Sequence, residues 1–221
     1  MAVGKSQKVT KSGSRTPKNY LVDYGVLGTG HDSKAAAILL SVQPNLEEFP
    51  YTTPAKYLHA LWGKAEKHKD FTTGIRGKTF ELMVACVLIK EKIFPFYWQA
   101  AMEFVPLANF DLVICTKEIG PIALSLKTSI RERFKQAEFE AQALKSVHRR
   151  AKTYLITMNV DEANYVNSKI GEGIIYGIDR AVVANRPEFN EVISEIKKFT
   201  IIKAPNVSTV TSGNKIDRRK N

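Results

Sequence analysis

The sequence predicts an α/β fold, of the α+β type, in which a central mixed sheet of about five strands is flanked by helices. Two observations carry this prediction. Apolar runs at 109–115 and 122–128 are separated by Glu-Ile-Gly-Pro, and Gly-Pro interrupts regular structure strongly, so the two runs form a hairpin. Segments with helical spacing lie before and after this hairpin, and further strand-like runs follow them.

The remaining elements follow in chain order. Helices are expected at 32–42, 54–68 and 72–93, the first capped by Asp32 or Ser33. After the hairpin we expect a helix at 129–151, a strand at 153–160 and one or two strands within 173–185. A last helix at 187–199 has a proline in its first turn, where proline is well tolerated.

Charge and length suggest one basic domain with tails. The chain has 221 residues and a formal net charge of +11, which fits a single domain that meets a polyanion, usually nucleic acid and less often an anionic membrane surface. A basic protein without such a partner is the alternative. We expect a flexible basic arm at 1–18, one domain at 19–203 and a short basic tail at 204–221.

Several classes of protein are disfavoured by the residues that are scarce. Cys86 and Cys115 lie in apolar runs, as buried thiols of a reducing compartment do, and four scattered histidines show no zinc spacing. The basic N-terminus is followed by no apolar signal segment, and no apolar run approaches the length of a membrane span. We therefore expect a cytoplasmic protein with no membrane partner.

A carboxylate and a lysine stand out in the hairpin. Both faces of strand 109–115 are apolar apart from Asp111, with Phe110, Leu112 and Ile114 expected on the opposite face. A buried aspartate is costly unless it is paired or binds a metal, although an aspartate at a frayed strand start can be satisfied locally. Antiparallel pairing can bring it to Lys127. The pair is either a plain salt bridge or part of a nuclease site, in which carboxylates hold Mg²⁺ and the lysine serves the attacking water.

A Mg²⁺ site usually needs a second carboxylate. Ser125 stands two residues before the lysine, where an acid is usual, and cannot fill this role. Glu140 lies closer than Glu138 to the apolar face of helix 129–151 and is the better candidate, although a solvated glutamate at the edge of that face is the alternative. Glu81, in the apolar helix 72–93, is a further candidate, unless it is a cap or pairs with Lys78.

These residues resemble type II restriction endonucleases of the PD-(D/E)XK superfamily. The likeness is to the EcoRII-like and NgoMIV-like branch, in which the glutamate is relocated to the following helix: an aspartate, then Ser-x-Lys, then a glutamate twelve or thirteen residues on. The matching positions are Asp111, Ser125 with Lys127, and Glu140. "KTSIRERF" also resembles the lysine-hydroxyl-hydroxyl-x-Arg-acid-Arg-aromatic run of many such enzymes. Phe110 replaces the proline that usually precedes the aspartate.

The resemblance implies a role for each of these residues. Asp111 and Glu140 would bind Mg²⁺, Lys127 would serve the attacking water and Glu81 would be a supporting acid, with no further small-molecule cofactor. The hydroxyls that flank the lysine in this motif would have supporting roles, namely Ser125, Thr128 and Ser129.

The resemblance also implies how the target is read. Arg131, Glu132 and Arg133 would read G·C pairs, which agrees with arginine pairing to guanine and carboxylate pairing to cytosine. Double-stranded DNA with a palindrome containing CC/GG, cut by a homodimer in a prokaryotic cytoplasm, would be the substrate. Alternatively, Ser129 and Glu132 form a capping box that needs no DNA.

The leading prediction is therefore a sequence-specific, Mg²⁺-dependent DNA endonuclease that leaves 5′-phosphate ends. Two alternatives stay open. One is a repair or recombination nuclease that reads DNA structure, and the other is a non-catalytic DNA-binding protein in which Asp111, Lys127 and Glu140 form a structural ion cluster.

Overall fold

A computed structural model describes residues 21–27, 33–103, 105, 108–129, 133–204 and 212–217. The helices are α1 (Lys34–Val42), α2 (Pro54–Ala65), α3 (Thr73–Lys90), α4 (Arg133–Val147), α5 (Val160–Gly171) and α6 (Pro187–Ile196). The strands are β1 (Phe96–Ala101), β2 (Asn109–Thr116), β3 (Gly120–Lys127), β4 (Lys152–Thr157), β5 (Arg180–Val183) and β6 (Ser212–Ile216). None of the described helices is long and apolar enough to cross a membrane.

The strands form one mixed, open sheet in the order β5-β4-β3-β2-β1-β6. β6, β1, β2 and β3 pair antiparallel with their neighbours, whereas β3, β4 and β5 run parallel. Parallel neighbours need a crossover, and α4 and α5 supply the two crossovers. The α/β class predicted from the sequence is confirmed, with six described strands in place of about five.

Helices cover both faces of this sheet. On one face, α1, α2, α3 and α6 contribute to a single large core with side chains of β2, β3 and β4, including Leu112, Leu124 and Ile156. On the other face, Ala137 and Ala141 of α4 pack with α5 against β4 and β5. The central strands are thus buried on both sides, which explains their nearly continuous apolar sequence.

Several boundaries differ from the sequence-based expectation. The strand predicted at 153–160 ends at Thr157, because Asn159 caps an unpredicted helix, α5, by accepting from the amide of Glu162. β1 was not predicted, and β6 lies within the expected basic tail at 204–221. Helix α4 covers Arg133–Val147 of the predicted 129–151. The expected arm at 1–18 lies outside the described residues.

One predicted face is wrong, and the error lies next to the candidate site. The sequence places Phe110 on the same face as Leu112 and Ile114, but Phe110 packs with Val113 and Cys115 in a second cluster beside Leu144 of α4. Simple period-two alternation therefore breaks between Phe110 and Leu112. Asp111 occupies the position where this break occurs.

Candidate active site

Asp111 and Lys127 meet at the open end of the β2–β3 hairpin. The described β2–β3 pairs run from Thr116 opposite Gly120 to Leu112 opposite Leu124. Just beyond the last pair, Asp111 Oδ2 accepts from the Lys127 ammonium at 2.9 Å and from the Leu126 amide at 2.7 Å. The two side chains are only 12% and 17% exposed. The proximity expected from the hairpin is confirmed.

Glu140 points inward from the second turn of α4. It is 3% exposed, and its Oε1 accepts from the Gln136 side chain at 3.0 Å. Burial raises the pKa of Glu140; Gln136 and Lys127 oppose this effect, and the charge of Asp111 adds to it. Glu140 is therefore electrostatically coupled to the hairpin pair, and the predicted inward orientation is confirmed.

Glu81 approaches the same cluster from α3, on the other face of the sheet. Its Oε2 accepts from Lys78 at 2.8 Å and from the Gln99 amide at 2.9 Å. Burial raises the pKa of Glu81, against the effect of Lys78, while Asp111 raises it further and Lys127 lowers it. The salt bridge to Lys78 considered from the sequence is present, and it coexists with coupling to Asp111 and Lys127.

The hydroxyl residues that flank the lysine lie in different surroundings. Ser125 is 9% exposed inside β3, opposite Leu155 of β4. Thr128 is half-buried just after β3, and Ser129 is exposed. The Ser129 hydroxyl donates to Glu162 of α5 at 3.1 Å, so this contact ties the end of β3 to the start of α5.

The proposed base-reading triplet is mostly beyond what the structure describes. Arg131 and Glu132 lie outside the described residues, and Arg133 is described only as the first residue of α4, without its side chain. The capping-box alternative, which pairs Ser129 with Glu132, also involves a position outside the described residues.

Glu138 is also buried, at 8% exposure, which the helical-face estimate did not predict. Its carboxylate accepts from the amides of Tyr176, Gly177 and Ile178 at 2.8–2.9 Å and from Gln142. Burial alone would raise its pKa, but the hydrogen bonds from Gln142 and from the three amides hold the pKa below its usual value. Glu138 thus holds the loop after α5 and lies outside the Asp111 cluster.

The donor atoms near Asp111 suit a hard cation. Within the described residues, no group of three or more His, Cys, Asp or Glu side chains could hold a metal ion by itself. Mg²⁺, however, usually takes one or two carboxylates together with waters and substrate phosphate. Gln136 donates to Oε1 of Glu140, and the backbone of Asn109 also hydrogen-bonds this carboxylate. Lys127 and Leu126 both donate to Oδ2 of Asp111. Two largely buried carboxylates are the type and number of ligands that such a site needs.

Gln99, like Gln136, is a site residue that sequence reasoning missed. Its signal is a single amide within the aromatic and small residues "FYWQAA" of β1, which is too weak to predict a contact with Glu81.

Comparisons with protein-family models, with curated proteins and with solved structures each find no match for this chain.

Proposed function

We propose that this chain is a sequence-specific, Mg²⁺-dependent endonuclease of double-stranded DNA. One observation carries the proposal: the Asp111–Lys127 pair at the end of a buried hairpin, with buried Glu140 coupled to it electrostatically. Buried ionisable groups with charged neighbours are common at functional sites, where burial and neighbouring charges shift their pKa values. The net charge of +11 favours a polyanionic substrate.

Each residue would act on a phosphodiester in a defined way. The Lys127 ammonium, oriented by Asp111, would position the attacking water and stabilise negative charge on the phosphoryl oxygens. The water oxygen would bond to phosphorus and lose a proton to solvent, while the bond to the 3′ oxygen breaks and this oxygen takes up a proton from solvent, which leaves a 5′-phosphate and a 3′-hydroxyl. Glu81 would support the negative potential of the cluster from α3.

Mg²⁺ would be held by Asp111 and Glu140 and, when bound, would supply Lewis-acid stabilisation of the phosphate charge. Asp111 contributes a further property of its own: it holds the amide of Leu126 as well as Lys127, so the carboxylate and the lysine keep a fixed mutual orientation. Such fixed positioning of charged groups accounts for much of enzymatic rate enhancement.

Target recognition is proposed from the sequence resemblance alone. Arg131, Glu132 and Arg133 precede and open α4, whose second turn carries Glu140, so base contacts and catalysis would be adjacent along the chain. A palindrome containing CC/GG would be cut by a symmetric homodimer, since a twofold site matches a twofold protein. The setting would be the cytoplasm of a prokaryotic cell.

Replacement of Lys127 tests the proposal. We expect Lys127→Ala to lower Mg²⁺-dependent cleavage of linear phage DNA by at least about 10²-fold, the usual cost of losing such a charge-stabilising group. DNA binding should stay measurable. Lys145→Ala is the matched control, because Lys145 also lies 2.9 Å from an aspartate, Asp179, and has similar exposure. Wild-type cleavage by the Lys127→Ala protein would refute the site assignment.

The same digestion separates the alternatives. Discrete bands support a sequence-specific enzyme, and a smear supports a nuclease that reads DNA structure. A protein that binds DNA but shows no Mg²⁺-dependent, chelator-sensitive cleavage would support the third alternative, in which Asp111, Lys127 and Glu140 form a structural ion cluster. Mapping the ends of discrete fragments would then test the CC/GG prediction.

A further inference from the structure

Gln99 has an unusual backbone conformation beside the candidate site. Its φ is +48°, in the left-handed region that costs free energy for residues other than glycine. It lies in β1, between Trp98, which pairs with Leu112, and Ala100, which pairs with Phe110. This register sets Gln99 opposite Asp111.

The strained residue lies where the strands change faces. Trp98 and Leu112 pack in the core beneath α3, whereas Ala100 and Phe110 pack in the cluster beside α4. Residues two apart in a regular strand share a face, so β1 and β2 both break the alternation at Gln99 and Asp111. The β1–β6 register also shifts between Trp98 and Ala101. A bulge of this kind redirects a side chain.

Glycine on the neighbouring strand makes room for the bulge. Gly213 of β6 has φ +125°, and a Cβ there would lie 2.8 Å from the Trp98 carbonyl oxygen. The distortion is therefore accommodated by two strands, and its consequence is a specific contact. Gln99 Nε2 donates to Glu81 Oε2 at 2.9 Å, the same oxygen that accepts from Lys78.

A neutral donor suits this position. Lys78 is 40% exposed and also lies 4.4 Å from the Trp98 ring centroid, so it is a partly solvated partner. An amide from the sheet adds a second, directional hydrogen bond that fixes the carboxylate. It adds no positive charge to a cluster that must attract a divalent cation, whereas another lysine would cancel a carboxylate.

We propose that Gln99 is a positioning residue. The bulge in β1 directs its side-chain amide to the Glu81 carboxylate, and this contact holds the carboxylate beside Asp111 in the cation-binding cluster. This inference rests on the proposed function. Gln99 acts through Glu81 and contacts neither substrate nor metal. Loss of a hydrogen-bond partner of a metal ligand usually changes metal affinity about 10- to 100-fold, and we expect the lower end of this range because Glu81 is a supporting acid and not one of the two ligands.

Two variants separate the side chain from the backbone. Gln99→Gly favours the left-handed conformation and removes the amide, and Gln99→Asn tolerates that conformation but is one methylene shorter. We expect both to fold with an unfolding midpoint no lower than that of wild type. The Mg²⁺ concentration for half-saturation, measured by calorimetry on the protein with a catalytically inert DNA analogue and by cleavage, should rise about tenfold.

A double-mutant cycle provides the decisive readout. If Gln99 acts through Glu81, adding Gln99→Gly to a Glu81→Gln protein should produce no further change in Mg²⁺ half-saturation. Provided that the wild-type enzyme cleaves DNA, two results would overturn the inference. One is an unchanged Mg²⁺ half-saturation in Gln99→Gly, and the other is a double variant whose fold-change in half-saturation is the product of those of the single variants. A wild-type protein that neither binds Mg²⁺ nor cleaves DNA would instead overturn the proposed function and this inference with it.

Discussion

Two buried glutamates of α4, two positions apart, illustrate how surroundings decide the role of a residue. The Glu138 carboxylate accepts hydrogen bonds from three backbone amides and from the Gln142 side chain, and these bonds lower its pKa. The Glu140 carboxylate accepts a hydrogen bond from the Gln136 side chain. Burial raises its pKa, and the charge of Asp111 adds to this effect. The first carboxylate stabilises the fold in its charged form, whereas burial of the second disfavours its charged form.

Replacement of Glu138 should destabilise the protein strongly. Glu138→Ala leaves the amides of Tyr176, Gly177 and Ile178 without their acceptor, and we expect a loss of about 3 kcal/mol in the free energy of unfolding. Urea denaturation measures this. Because the pKa of Glu138 is lowered on folding, its contribution is present above the unfolded pKa and is lost as pH falls through the folded pKa. A loss below about 0.5 kcal/mol would contradict this structural role.

Replacement of Glu140 should have the opposite effect on stability. The folded pKa of Glu140 is raised, so the charged form destabilises the metal-free fold once pH rises from the unfolded pKa through the folded pKa. We expect Glu140→Gln to abolish cleavage yet raise the thermal unfolding midpoint at neutral pH, with a smaller difference near pH 4. A metal-free Glu140→Gln protein that is less stable than wild type at neutral pH would favour the structural ion cluster.

At the scale of elements, α4 and the loop after α5 are packed closely enough to exclude a methyl group. A Cβ on Gly177 would lie 2.7 Å from the backbone nitrogen of Gln142 and 2.9 Å from the backbone carbonyl oxygen of Glu138, both in α4. Neither backbone atom can move without distorting the helix. This close approach lets the amides of the loop reach the Glu138 carboxylate.

Gly177→Ala should therefore lower the free energy of unfolding by about 1–3 kcal/mol, the typical cost of overpacking. Gly171→Ala is the matched control, because a Cβ at the end of α5 meets nothing within 4 Å. Chemical denaturation of both variants measures the difference. Equal stability of the two would show that the loop adjusts freely around α4.

At the scale of the whole molecule, one edge strand of the sheet comes from residues close to the C-terminus. β6 pairs along the edge of β1, and Ile216 is fully buried. Its Cδ1 lies 3.7 Å from where a Cβ on Gly25 would be. Strand edges left open are prone to association. The expected basic tail therefore includes an edge strand of the sheet, of which Ile216 belongs to the core.

Deletion of residues 212–221 should destabilise the protein, since burial of an isoleucine alone contributes about 1.5–3 kcal/mol. Deletion of 218–221 removes basic residues without β6 and is the matched control. Thermal unfolding and light scattering would detect lost stability and association through the exposed β1 edge. If both deletions behave alike, β6 contributes little to the fold.

The hairpin and the residues near it were predictable because their signals are local. The apolar runs with Gly-Pro between them define the hairpin, which brings Asp111 to Lys127, and the helical period orients Glu140. α5 was missed because it begins within a run that reads as a strand. β6 was missed because Ser-Gly-Asn-Lys-Ile has little strand propensity; its pairing with β1 depends on contacts distant in sequence.

The sequence by itself was enough to predict the α/β class, the hairpin, the approach of Asp111 to Lys127 and the inward orientation of Glu140, because turn residues and helical spacing act over a few residues. Only the tertiary structure showed that Glu81, already a candidate from the sequence, approaches from the opposite face of the sheet and accepts a hydrogen bond from a left-handed Gln99. The physical reason is that face changes and bulges arise from the packing of several strands and helices together.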